Sequence, residues 1–180
     1  MRVFTAIIAV SLMSSLSTFG KAYFFTQTEL IENAAVIAVV RLDEPEDAQP
    51  VGGKNIDPFA GKEASGKFWN YSQQAKVHVE KVLKGKVPSN FTMYGQESFV
   101  CAQCRLTKGR FLAFLSKDGD LWAGANWQLS LRPIRDKEVE WYVSENQLYP
   151  MQFRKLEEVV ERIKTLLKRQ ESEKGAALRR

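Results

Sequence analysis

Gly109-Arg110-Phe111-Leu112-Ala113-Phe114-Leu115-Ser116-Lys117-Asp118-Gly119-Asp120-Leu121-Trp122 decides the fold. Phe111 to Leu115 is apolar at every position. A strand of that kind is buried on both faces and belongs at the centre of a sheet. Lys117-Asp118-Gly119-Asp120 follows, and its Asp-Gly pair favours a tight hairpin. Leu121 to Trp127 then reads as the returning strand.

Outward from this hairpin the chain is β-rich. Val36-Ile37-Ala38-Val39-Val40, with Leu42, predicts a second strand buried on both faces, entered from a short helical or turn segment over 29–35. Ala75, Val77 and Val79 alternate with Lys76, His78 and Glu80, the period of a half-exposed strand. The phase slips at Val82-Leu83, which predicts a bulge, and Lys84-Gly85 ends the strand before Pro88. Phe91, Met93 and Phe99 mark the next strand region, and 138–143 one more, with Val139, Trp141 and Val143 on one side. Leu156, Val159, Val160, Ile163, Leu166 and Leu167 recur at helical spacing, giving an amphipathic helix over about 155–169. Its glutamates lie early and its cations late, in keeping with the helix dipole. Residues 170–180 read as a flexible tail. Strands in hairpins with one terminal helix argue for a small antiparallel barrel or an α+β sandwich.

The first 22 residues read as a secretory signal. Arg2 is followed by an apolar and small-residue run from Phe4 to Phe19, and Gly20-Lys21-Ala22 sets up cleavage after Ala22. The run is short for a membrane span and diluted by serines, so no stable span is expected after cleavage. The domain is then 23–169, and the location is periplasmic or extracellular. The whole chain carries 26 basic and 21 acidic residues. Removing Arg2 and Lys21 leaves 24 basic residues, and 154–180 alone holds nine of them against five acidic ones. The span 23–153 is therefore near neutral, which argues against nucleic acid as a partner. From Asp43 to Asn70 runs a long polar loop with Pro45, Pro50, Gly52, Gly53 and Pro58, and loops of this length in small domains are functional or mobile.

The order of these features resembles the netrin-like modules, whose best-known members are the tissue inhibitors of metalloproteinases. Carrying the resemblance, over roughly 29–131, are Ala35 to Val40, Val77 to Gly85, a cysteine-bearing turn, and Gly109 to Leu115. It implies a mainly β, OB-like barrel of five to six strands with the terminal helix packed on it, used for protein or ligand contacts. Metalloproteinase inhibitors begin their mature chain with a zinc-binding cysteine; here the expected mature start is Tyr23, so inhibition of metalloproteinases is not implied.

Chemistry is sparse. The only cysteines, Cys101 and Cys104, form a Cys-x-x-Cys pair that an oxidising compartment would close into a disulfide. The bland reading is a local staple. The functional one is thiol–disulfide exchange, with Arg105, Lys108 and Arg110 as nearby cations but no helix to lower a thiol pKa. The single histidine, His78, falls in phase with the polar positions of its strand and reads as a surface residue. Two cysteines and one histidine fall short of a zinc site. No Gly-x-Ser-x-Gly elbow or phosphate loop is present. Asp43-Glu44 and Glu46-Asp47 read as solvated loop charge. Trp69, Trp122, Trp127 and Trp141 either pack the core or line a contact face. Asn70-Tyr71-Ser72 and Asn90-Phe91-Thr92 match glycosylation sequons, of consequence only in a eukaryotic host. The expectation is a non-enzymatic, exported protein-binding or inhibitor-like module, without cofactor or metal, whose partner is another exported or envelope protein. The alternative is a redox protein using Cys101 and Cys104.

Overall fold

The computed structural model describes residues 23–48, 71–96, 104–148 and 150–177. The expected signal segment, Phe99, Cys101, Trp69 and most of the 43–70 loop lie outside the described residues.

Five strands close into a barrel: β1 (Val36–Leu42), β3 (Gln73–Lys84), β4 (Asn90–Gly95), β5 (Gly109–Asp118) and β6 (Leu121–Gly124). β1 pairs with both β3 and β5, and β4 pairs with β6 in parallel, so the ring runs β1-β3-β4-β6-β5 and back to β1. Of the barrel and the α+β sandwich that the strand pattern left open, the barrel is formed, OB-like as the resemblance implied, with β4–β6 its one parallel pairing among the described residues. Its interior is filled by alternate residues: Val36, Ala38, Val40 and Leu42 from β1, Ala75 and Val77 from β3, and Phe111, Ala113 and Leu115 from β5. Met93, Trp122 and the loop residue Leu106 complete it.

The intervening residues of β1 and β5 face a second core. Ile37, Val39, Leu112 and Phe114 pack there against α1 (Gln27–Asn33), β8 (Glu138–Tyr142) and α2 (Leu156–Ala177). Burial on both faces is why these two strands read as unbroken apolar runs.

The expected bulge is present. Ile37 pairs with Lys84 but Ala38 with Val82, leaving Leu83 out of register, and a second slip leaves out Glu80. Gly85 then turns the chain at φ +75°. The tight hairpin is present too: Asp118 faces Leu121 across Gly119-Asp120, and Gly119 has φ +59°. At the chain start, Thr26 and Glu29 cap α1 reciprocally. The Lys84 ammonium donates to the carbonyls of Ile31 and Glu32 at the other end of α1, at 2.8 Å each.

Several boundaries differ from the expectation. β6 stops at Gly124, and Trp127–Ser130 is a 3-10 turn. A two-residue strand, β2 (Glu46–Asp47), lies inside the stretch read as loop and pairs with Gln73 and Gln74. β7 (Leu131–Arg135) and β9 (Met151–Lys155) were not expected; they flank β8 and extend the β5 side of the barrel. β7 tolerates Pro133 because the strand pairs with β5 through Pro133 and with β8 only from Ile134 onward. The helix does not stop at 169 with a tail beyond it; α2 continues to Ala177.

Candidate functional site

With the barrel filled, the polar residues of β1, β3 and β4 form an outward face. Strand alternation sets it: Ala75 and Val77 point inward, while Lys76 and His78 point out. Across β4, Thr92 stands opposite Lys76 and Asn90 opposite His78. Arg41 of β1 lies beside His78 on one flank and opposite Arg110 of β5 on the other. Asn90, His78, Arg41 and Arg110 thus make one row across four strands. Arg110 pairs with Glu80 at 2.7 Å. Beyond that pair the face meets a cleft of ≈ 600 Å³, with Val39, Leu156 and Val160 among its lining and Lys81 and Glu161 beside them.

His78 is engaged at both ring nitrogens. Nε2 lies 2.9 Å from Asp43 Oδ2, and Nδ1 lies 2.7 Å from Asn90 Oδ1. With the Asp43 carboxylate and the Asn90 amide oxygen as its neighbours, the ring is favoured in its protonated form, which donates from both nitrogens. The hydrogen bond to Asp43, then that to Asn90, raise the His78 pKa above its ordinary 6.5, against burial and Arg41. The same bond holds the Asp43 carboxyl below its usual value. Held this way, it fastens the chain just after β1 to β3 and β4. Glu46 does the same further on, accepting from Gln74 Nε2 at 2.8 Å. Two of the four acids read as solvated loop charge therefore anchor the loop root.

This geometry fixes a pH dependence. Because the folded-state pKa is raised, the stabilisation is complete below the unfolded value near 6.5 and is lost as pH rises through the folded value. With one histidine in the chain, its imidazole C–H resonance reports the titration directly. The midpoint should lie above 6.5 and fall back toward it in Asp43→Asn; a midpoint unmoved by Asp43→Asn would break the assignment.

The expected Cys101–Cys104 staple is corrected. Cys104 carries a free thiol. Part of the residue meets solvent, but its sulfur is directed inward, where a side chain added at Gly124 would meet Cys104 Sγ at 2.8 Å. Burial pushes the thiol up to about 12, with the Ser130 side chain and the Gly124 backbone offsetting a part. Exchange chemistry needs the reverse, a lowered thiol pKa and access.

The tryptophans divide. Trp141 is buried in the second core and Trp122 in the barrel, where it contacts Phe91 at a centroid distance of 5.5 Å. Trp127 is half-buried at φ 46°. Among the described residues no group of three or more potential metal ligands comes together, and no helix is long and apolar enough to cross a membrane. Sequence alternation placed His78 on the solvent face. Asp43 and Asn90 were missed as its partners, since they join it only through strand register.

No family model, curated protein or solved structure matches this chain.

Proposed function

We propose that this chain is an exported, non-enzymatic binding module that holds another exported or envelope protein against the outer face of β1, β3 and β4. The observation that carries this reading is the combination of a barrel packed solid with an exposed polar face. The lumen is occupied by Val40, Leu42, Val77, Met93, Ala113 and Leu115, so a small ligand has no interior to enter. Lys76, Asn90 and Arg41 stand exposed on the outside. In OB-type barrels the corresponding second and third strands, with the loops beside them, make the binding surface. Here the loop between the first two barrel strands leaves the same face at Asp43, pinned by His78.

The partner is a protein rather than nucleic acid. Arg110 is neutralised by Glu80 and His78 faces Asp43, which leaves Lys76 and Arg41 as the cations of the face, fewer than the basic stripe that phosphate binding uses. The netrin-like resemblance agrees with a protein-contact role without supplying the partner. Export rests on the Arg2 to Ala22 segment. A photo-reactive side chain placed at Thr92 should cross-link to a discrete exported protein, and one placed at Glu171, exposed on α2, should not.

A further inference from the structure

The barrel lumen is filled, but its mouth at the start of β1 is hollowed on the outside. Val36 of β1, Trp122 of β6, and Val87 and Pro88 of the turn between β3 and β4 border an open recess of ≈ 550 Å³, with Ala35, Lys86 and Lys117 completing the lining. Barrel mouths are a usual place for small-molecule sites, and this size lies within their range. Trp122 forms the floor: it is 9% exposed, sits in the barrel core, and its ring packs on Phe91. Among the described residues no strand edge opens onto the recess. The Ala35 N–H donates to the Leu115 carbonyl, Lys117 pairs with Trp122 across the β5–β6 hairpin, and Trp122 pairs with Met93 of β4 on its other side. An extended peptide would find no backbone ladder to join there, so recognition falls to side chains. The charge of the lining is of one sign. Lys86 and Lys117 are its only charged residues, and both are exposed. The ion pairs among the described residues involve neither of them. The Lys117 ammonium lies 5.1 Å from the Trp122 ring centre, an attraction that holds it over the floor.

We propose that this recess binds a small amphipathic anion, a carboxylate or phosphate group carrying an apolar chain. Lys86 and Lys117 take the oxyanion as point charges, and the chain covers Trp122, Val87 and Pro88. The ligand lies on the plug of the barrel rather than inside it. Charge complementarity selects this class. A cationic ligand would be repelled by both lysines. A sugar would find no hydroxyl, amide or carboxylate side chain in the lining to pair with. An inorganic anion would leave the apolar floor in water, and a neutral hydrocarbon would gain nothing from the two ammonium groups. A carboxylate and a phosphate share the chemistry that the lysines read. Both ammonium groups stay in contact with solvent, so each pairing is worth little, and the affinity is modest, with Kd on the order of 0.1 mM. The recess lies at the opposite end of β1 from Asp43, and its ligand does not depend on what the β1–β3–β4 face binds.

The amide and indole N–H resonances of the purified chain, followed by NMR during titration with octanoate and, separately, with octyl phosphate, test this. The shifts should centre on Lys86, Val87, Lys117 and Trp122 and saturate with Kd on the order of 0.1 mM. Octanol, which lacks the charge, and acetate, which lacks the chain, should each bind about five-fold more weakly or worse. Lys86→Glu and Lys117→Glu, both at exposed positions, should each weaken binding about three-fold or more, and together about ten-fold, with the thermal transition unchanged. Tighter binding of octanoate than of octyl phosphate would mark a carboxylate as the head group, and the reverse a phosphate; either supports the site. Trp122 and Val87 resonances unmoved by both probes at about 5 mM overturn the proposal. So does octanol binding as tightly as octanoate, or an affinity indifferent to the double variant.

Discussion

Trp141→Ala should lower the free energy of unfolding by about 3–5 kcal/mol, the range for deleting a large buried aromatic. Trp141 is 1% exposed on β8. Its ring stacks on Phe114 at 5.8 Å and meets Tyr142 edge-on at 5.3 Å. Phe114 belongs to β5, a wall of the barrel, so this contact joins the barrel to the β7–β9 sheet. The loss would be a large fraction of the roughly 5–15 kcal/mol that holds a domain of this size together. Trp141 Nε1 is buried with no hydrogen-bond partner among the described residues, and such a donor carries its own desolvation cost. Trp141→Phe should therefore be much milder than Trp141→Ala, because it removes the orphan donor and keeps most of the ring. Urea unfolding measures both. A loss under about 1 kcal/mol for the alanine variant would mean that the second core contributes little to holding the sheets together.

Gly85→Ala should cost about 3 kcal/mol or more, for two reasons that can be separated. The residue has φ +75°, where a side chain is strained. A Cβ there would also lie 2.2 Å from the Ala35 carbonyl oxygen and 3.1 Å from Val36 Cγ2. The oxygen is backbone and has no rotamer to escape into, so β1 must shift against β3 at the rung where Ile37 pairs with Lys84. Gly119 supplies the control: it has φ +59° with nothing within 4 Å of an added Cβ. Gly119→Ala should carry only the conformational cost, about 1 kcal/mol. Equal thermal shifts in the two variants would contradict the close packing of Gly85 on Ala35.

The contrast between those glycines indicates how the fold is written in the chain. The Asp-Gly hairpin, the Lys-Gly strand end and the slip at Val82-Leu83 are local signals, and each corresponds to a local feature. β1 and β5 were legible because each is buried on two faces, leaving Val36 to Val40 and Phe111 to Leu115 without polar interruption apart from the ends. β9 was not legible, because Gln152, Phe153 and Lys155 are exposed and the strand has no alternation to read. Pro133 hid β7, since its missing N–H matters only if the strand is paired on both sides at that residue. Barrel closure rests on β1 meeting β5 and on the parallel β4–β6 pairing, neither of which a local pattern encodes. The candidate face was half legible. Its polar phase at Lys76 and His78 is a period-two signal, but the bonds of His78 reach 35 residues back to Asp43 and 12 forward to Asn90. The cysteine pair misled because spacing says nothing about direction, and the Cys104 sulfur is directed inward.

The most direct test of the proposed function is site-specific photo-cross-linking in the producing cell, with the reactive group at Thr92, on the β4 side of the β1–β3–β4 face opposite Lys76, and the control at Glu171 on α2. The account predicts one dominant cross-linked species from Thr92, identified by mass spectrometry as an exported or envelope protein and lost when the neighbouring Lys76 is changed to Glu. Cross-linking from Glu171 alone, or a Thr92 adduct indifferent to Lys76→Glu, would contradict the assignment of this face.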